Sequence, residues 1–180
     1  MGALAFWKAV VGDKSNFLER VIALLEDSGF PYCVIGGVAV NAYAEPVVTV
    51  DLDIVLTGSR LPEARRLLAG HFRVQDFEHS LDIYDPESKL QVQIQKDPDL
   101  DVILPRARRL DVLGLLLPVA APRDLIRLKA AAALEPTRRR MKRGKDRLDI
   151  ARLVTVFPEL RDEIPSELLP DILELLDPEP

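Results

Sequence analysis

A short apolar run that stops dead at a glycine pair constrains this chain more than any other feature. Tyr32-Cys33-Val34-Ile35 is β-branched and apolar, ends at Gly36-Gly37, and gives way to VAVNAYAE, whose composition is helical. The pattern predicts strand, glycine turn, helix. After Pro46 comes VVTVDLDIVL, in which Val48, Val50, Leu52, Ile54 and Leu56 share one face while Val47, Thr49, Asp51, Asp53 and Val55 share the other. That is strand periodicity with one apolar side.

Asp51 and Asp53 stand two residues apart on that predicted strand, so both carboxylates project from one face about 7 Å apart at the backbone. At an effective dielectric near 20, two unit charges at that spacing cost roughly 2.4 kcal/mol. Such a pair is a poor choice for stability alone and a good one for a shared cation. The plainer alternatives are a solvent-facing edge or an ion pair with a nearby Arg. For Gly36-Gly37 the alternatives are an ordinary tight turn, or an anion cradle whose backbone N–H groups are open because no Cβ obstructs them.

Around this unit the sequence alternates helix and strand. Phe17, Leu18, Val21, Ile22, Leu24 and Leu25 form one stripe over 15–28, with Asp13 or Ser15 as cap and Gly29 as stop. Residues 62–70 predict a short helix, followed by FRVQDF, SLDIYDP and KLQVQIQ as strands. From Pro122 onward DLIRLKAAAAL favours helix, and RRRMKRGKDRLDIARLVTVF resumes after Pro136 with Leu148, Ile150, Leu153 and Val154 as core stripe. SELLPDILELLDPEP predicts a last acidic amphipathic helix. The expectation is an α+β fold with a small mixed sheet of four to five strands, a core over 1–121, and a helical region over 122–180 packed on it. Leu4, Phe6 and Trp7 read as a staple on the first helix or an exposed contact surface.

Composition removes other classes. With 180 residues, 48% hydrophobic, 24 Lys plus Arg against 29 Asp plus Glu and a net charge of -5, the chain reads as a globular domain. Its single Cys33 can form neither an internal disulfide nor a zinc-thiolate cluster. The longest apolar stretch, Leu113 to Pro122, is far short of the roughly 20 residues that cross a bilayer. The start lacks a basic n-region, so the chain reads as cytoplasmic. His71 and His79 are isolated, and no Walker A, G-x-G-x-x-G, G-x-S-x-G or H-E-x-x-H motif occurs.

VIGGVAVNAYAEPVVTVDLDIVL resembles the signature of the nucleotidyltransferase fold of the DNA polymerase beta superfamily: an apolar strand, Gly-Gly or Gly-Ser, a helix, then Asp-x-Asp. Within it the chain is most similar to the abortive-infection type, the nucleotidyltransferase toxins of bacterial toxin–antitoxin systems. Lys129, followed by Lys145-Asp146-Arg147-Leu148-Asp149, resembles their helical region. The resemblance implies that Gly36, Gly37 and Thr49 hold a nucleoside triphosphate and that Asp51 and Asp53 bind Mg²⁺ or Mn²⁺. It implies that Lys129 or Lys145 neutralises phosphate charge. The reaction implied is attack of an RNA or protein hydroxyl on the α-phosphorus, pyrophosphate leaving. An antitoxin is the implied partner, and no membrane is.

Two positions depart from that pattern. Relatives carry a third carboxylate on a later strand, where it helps activate the acceptor hydroxyl; the matching residue here is Gln93, on a face with Gln91 and Gln95. An amide oxygen can ligate a cation but brings no charge and is no general base. Asp82, Asp97 or Asp99 are candidate substitutes. Val47 stands where relatives often have a basic residue. The competing expectation is therefore a catalytically degenerate module that binds a nucleotide or a protein partner. Between Arg138 and Arg147 seven Lys or Arg residues face a single Asp, which reads either as a solvated helix face or as a contact for a polyphosphate or RNA backbone.

Overall fold

The computed structural model describes residues 5, 8, 9 and 12–176, so the readings of Leu4, Phe6 and Trp7 and of the last residues of the acidic tail lie outside the described residues. The elements follow the predicted succession: α1 (Phe17–Asp27), β1 (Tyr32–Ile35), α2 (Gly36–Asn41), β2 (Asp51–Leu56), α3 (Leu61–Ala69), β3 (Arg73–Asp76), β4 (Ser80–Tyr84) and β5 (Gln91–Gln95). Then come β6 (Arg108–Val112), β7 (Leu115–Val119), α4 (Pro122–Leu134), α5 (Arg140–Val156) and α6 (Leu169–Leu176). Asp13 caps α1, its Oδ1 accepting from the Phe17 N–H at 3.0 Å.

The strands form one mixed sheet in the order β3-β4-β5-β2-β1-β7-β6. Strand β2 runs antiparallel to β1 and parallel to β5, and β4 and β3 extend the sheet by antiparallel pairing. Across the centre Val34, Ile54, Ile94 and Leu81 lie in register on one face, and all four are buried. They share a cluster with Phe17 and Leu25 of α1 and with Leu68 of α3. Phe17 meets Phe72 edge to face at 5.1 Å between centroids. Fully burying each such side chain contributes about 1.5–3 kcal/mol, which fixes the register of the central strands and hence the positions of the opposite, polar face.

The sheet has seven strands, not four to five. The extra pair is β6, from a segment given no strand, and β7, from the stretch read as merely apolar, where LLLPV lacks period-2 alternation and carries Pro118. Its turn is Leu113-Gly114, both at positive φ (59° and 88°), the conformation of a two-residue hairpin; Asp111 Oδ1 accepts from the Gly114 N–H at 2.9 Å. The dipeptide was the available signal, and its leucine concealed it.

Two patterning expectations also fail. β2 begins only at Asp51, and Val48 and Val50 are 63% and 42% exposed, because 42–50 is a loop clamped elsewhere and not a sheet strand. Leu148 is exposed, while Asp146 and Asp149 are buried on α5 beside Ile150, Leu153 and Val154. No helix among the described residues is long and apolar enough to cross a membrane.

Candidate active site

The polar face of β2 opens into a cavity of about 310 Å³ that α2, α4 and α5 help to wall. Gly36, Gly37, Thr49, Asp51, Asp53 and Gln93 all line it, as do Lys129 and Lys145, so the structure brings the residues that the sequence resemblance implied for metal, nucleotide and third corner to one space. Lys142, Arg138 and Asp146, from the basic run, line it as well.

Gly36 opens α2 with φ +70°, a conformation that L residues rarely adopt. A Cβ there would overlap the Asp53 carboxylate, so the glycine is required twice, by its backbone and by its neighbour. A Cβ at Gly37 would stand 3.5 Å from Thr49 Oγ1 and 3.8 Å from Lys145 Nζ, which places the glycine pair, the threonine and the lysine around one gap.

Asp53 is half-buried and makes no ion pair with any described residue, nor does Asp51. Burial, with the neighbouring Asp51 adding to it, pushes the Asp53 carboxyl up to about 6 against the pull of Lys129, Arg138 and Lys142. A carboxylate held at that cost with no partner suits a cation ligand better than a structural ion pair. Among the described residues no group of three or more His, Cys, Asp or Glu side chains is placed to hold a metal; with Asp146 taken by Lys129 and Arg138, the cavity offers the carboxylates of Asp51 and Asp53 and the amides of Gln93 and Gln95.

Lys129 is more occupied than the sequence suggested. Its ammonium lies 2.7 Å from Asp149 Oδ2 and 3.1 Å from Asp146 Oδ1, joining α4 to α5. Burial alone would lower its pKa, but the two carboxylates outweigh this and hold it above the ordinary lysine value. Arg138 takes the other oxygen of Asp146 at 2.8 Å, and Arg152 takes Asp149 Oδ1 at 2.7 Å. Arg152 also donates to Asn41 Oδ1 at 2.7 Å and to the Glu45 carbonyl. Asn41 in turn grips both backbone groups of Val47, at 2.7 and 3.0 Å. This chain of contacts, which sequence reasoning missed, ties the helical region to the loop that carries Thr49. Lys142 and Lys145 are exposed and form no ion pair with a described residue.

The third corner is settled by register. Asp53, Gln93 and Asp82 are direct neighbours across β2, β5 and β4. Gln93 lines the cavity, whereas Asp82 is 4% exposed and does not. Asp82 is saturated: Oδ1 accepts from Ser80 Oγ at 2.6 Å, and Oδ2 from Gln93 Nε2 at 3.1 Å, Tyr84 Oη at 3.2 Å and Gln91 Nε2 at 2.5 Å. Asp97 caps the turn that follows β5, accepting from the Asp99 N–H at 2.9 Å, and neither it nor Asp99 reaches the cavity.

No protein-family model matches the sequence. No curated protein matches it. Solved structures do resemble it. ANT(2'')-Ia in complex with adenylyl-2''-tobramycin aligns with a TM-score of 0.62 at 13% identity over 90% of this chain and 98% of that one. The lincosamide antibiotic adenylyltransferase LnuA, lincomycin-bound, aligns at 0.54 and 13% identity over 81% and 99%. An antigenic nucleotidyltransferase-like protein from Paracoccidioides brasiliensis aligns at 0.53 and 17% identity over 94% and 86%. At such identities the agreement concerns architecture: this chain has the nucleotidyltransferase fold.

Proposed function

We propose that this protein binds a nucleoside triphosphate with a divalent cation in the 310 Å³ cavity and transfers the nucleotidyl group to an acceptor oxygen, releasing pyrophosphate. The observation that carries this reading is the convergence of two unpaired carboxylates, Asp51 and Asp53, with the Gly36-Gly37 turn and the unpaired ammonium groups of Lys142 and Lys145. Carboxylate oxygens fit a hard cation such as Mg²⁺ or Mn²⁺, and Asp51 and Asp53 would hold it, with the Gln93 carbonyl as an uncharged neighbour. Such a cation supplies charge neutralisation at the phosphates. Gly36, Gly37 and Thr49 bound the space for phosphate oxygens, and Lys145 brings charge to it. Lys129 acts mainly by fixing α4 on α5.

The resemblance in sequence implies RNA or protein hydroxyls as acceptors, and the likeness in fold to ANT(2'')-Ia and LnuA adds small molecules. A polyamine such as tobramycin is disfavoured by charge. Apart from Asp51 and Asp53, the one carboxylate lining the cavity among the described residues, Asp146, is already paired with Lys129 and Arg138. Support for the abortive-infection type and for an antitoxin partner rests on the sequence pattern alone, and part of that pattern, Lys129 with Asp146 and Asp149, forms the helix-joining ion cluster.

Calorimetric titration with Mg²⁺ and each of the four common nucleotides tests the reading. Saturable, metal-dependent binding that Asp51→Asn and Asp53→Asn abolish is expected; equal binding by wild type and both variants would remove the metal site. A second reading, a nucleotide-binding module without transfer, is favoured by Gln93. Labelled nucleotide that binds but never transfers to total RNA, protein or small acceptors would select it.

A further inference from the structure

The cavity is unusual in what it cannot do. Transfer to an ordinary alcohol requires a group that takes the hydroxyl proton. Among the described residues lining the cavity, the carboxylates are Asp51, Asp53 and Asp146. The first two are assigned to the cation in the reading above, on which this inference rests. Asp146 is 1% exposed and takes hydrogen bonds from Lys129 and Arg138, at 3.1 and 2.8 Å. Among the described residues no histidine or cysteine lines the space.

The remaining candidate for a base is the corner beside Asp53, and there the charge sits one strand too far out. Asp82 on β4 is a buried carboxylate, and a carboxylate can only accept, so the Gln93 amide must turn its Nε2 toward it. The Gln93 carbonyl oxygen is left on the other branch of the amide and receives no hydrogen bond from any described residue. Asp82 holds Gln91 in the same way. The fixed charge is thus shielded from the cavity, and the oxygen presented there is neutral. Among the described residues lining the space, the cations are Lys129 and Arg138, paired with Asp146, and the exposed Lys142 and Lys145. On the same sheet face, beyond Gln91 and Tyr84 in register, Arg73 lines a second recess of about 300 Å³ and forms no ion pair with a described residue.

We infer that the acceptor arrives already deprotonated, as a carboxylate or phosphate oxyanion, because the corner that would carry a base presents the neutral carbonyl of Gln93 locked by Asp82. The step then balances without any proton transfer. An acceptor oxygen attacks the α-phosphorus and the new O–P bond forms. The bond from that phosphorus to the bridging oxygen of the β-phosphate breaks, and its electron pair leaves with pyrophosphate. A carboxylate gives a mixed anhydride and a phosphate gives a phosphoanhydride. Asp82 is a positioning residue in this scheme, acting through Gln93.

The test offers the wild-type protein, with Mg²⁺ and a labelled nucleotide, three acceptors: inorganic phosphate, acetate with hydroxylamine present to trap an acyl product, and glycerol. Expected is label in nucleoside diphosphate, or acetohydroxamate formed as the label is released in nucleoside monophosphate, at a rate flat across mildly alkaline pH, with glycerol no better than buffer. Which of the two anions reacts separates phosphate from carboxylate acceptors. Glycerol used at least as well as the anions, at a rate that climbs about tenfold per pH unit as a hydroxyl deprotonates, overturns the inference. So does nucleotide binding with no transfer to either anion, which leaves nucleotide binding itself intact; absence of nucleotide binding removes the underlying reading instead.

A readout apart from turnover is the side-chain amide NMR signal of Gln93 in the metal-free protein. Asp82→Asn should shift it and release its restricted rotation, and unchanged signals would show that Asp82 does not hold Gln93. Moving the charge inward completes the test. Gln93→Glu alone sets two carboxylates side by side and should lower the melting temperature. Gln93→Glu with Asp82→Asn should recover stability and gain glycerol as acceptor by about 10- to 100-fold, the scale of a supporting-residue effect. A double variant that is stable and still refuses glycerol contradicts the assignment.

Discussion

Gly36 and Asp53 occupy one space: the carboxylate of Asp53 lies where the Cβ of any other residue at position 36 would be. Strand register makes the contact, since Ile35 on β1 pairs with Asp53 on β2 and the chain turns at the next residue. The glycine and the second carboxylate of the motif are therefore one structural unit, and burial raises the pKa of that carboxylate to about 6.

Gly36→Ala should cost about 2–4 kcal/mol in stability, from a φ of +70° combined with the overlap. Gly37→Ala, whose Cβ would find ordinary contacts of 3.5–3.8 Å, should leave stability within about 1 kcal/mol and weaken nucleotide binding by crowding Thr49 and Lys145. Chemical denaturation beside nucleotide titration separates the two effects.

Asp53 sets a pH dependence of definite sign. Its pKa is raised on folding, so the folded state binds a proton that the unfolded chain has released. The contribution of Asp53 to stability should fall as pH rises from the ordinary carboxyl value, 3.8, to about 6 and stay level above that. The loss is on the order of 3 kcal/mol. Asp53→Asn should remove that slope and make the metal-free protein more stable at neutral pH. Added Mg²⁺ should raise the melting temperature of wild type and not of the variant, and a chelator should reverse it.

Two lysines of the cavity should behave oppositely. Lys129→Ala leaves Asp146 and Asp149 buried with one partner each removed and should destabilise by about 3–5 kcal/mol. Lys145→Ala should change stability by no more than about 0.5 kcal/mol and weaken nucleotide binding about tenfold or more. A variant pair with similar losses in both measurements would contradict this division.

Asn41 clamps Val47 through both backbone groups and is itself held by Arg152. Asn41→Ala should cost about 1–2 kcal/mol and raise the nucleotide concentration needed for half-saturation, because the loop before Thr49 loses its anchor. Hydrogen exchange of the Val47 amide gives the direct check.

The order of helices and strands, the cap at Asp13, the glycine turn and the placing of Asp51 with Asp53 on one face were legible from neighbouring residues, because helical and strand periodicity are local properties. The β6–β7 hairpin was not, since β7 lies in an apolar stretch whose LLLPV lacks alternation and the turn carries leucine at positive φ, which left β6 without a visible partner. Nor was the burial of Asp146 and Asp149 where Leu148 was expected: their burial depends on Lys129 and Arg138 arriving from outside the helix, beside Arg152 on it.

What the sequence determined by itself is the unit of strand, diglycine and paired carboxylates, for which only short-range backbone geometry is needed. What tertiary structure decided is the partner of each charge. Gln93 and Asp82 are eleven residues apart, yet strand pairing sets them side by side and leaves the neutral oxygen facing the cavity. Register between strands follows from the buried apolar face, and no reading of one strand at a time contains it.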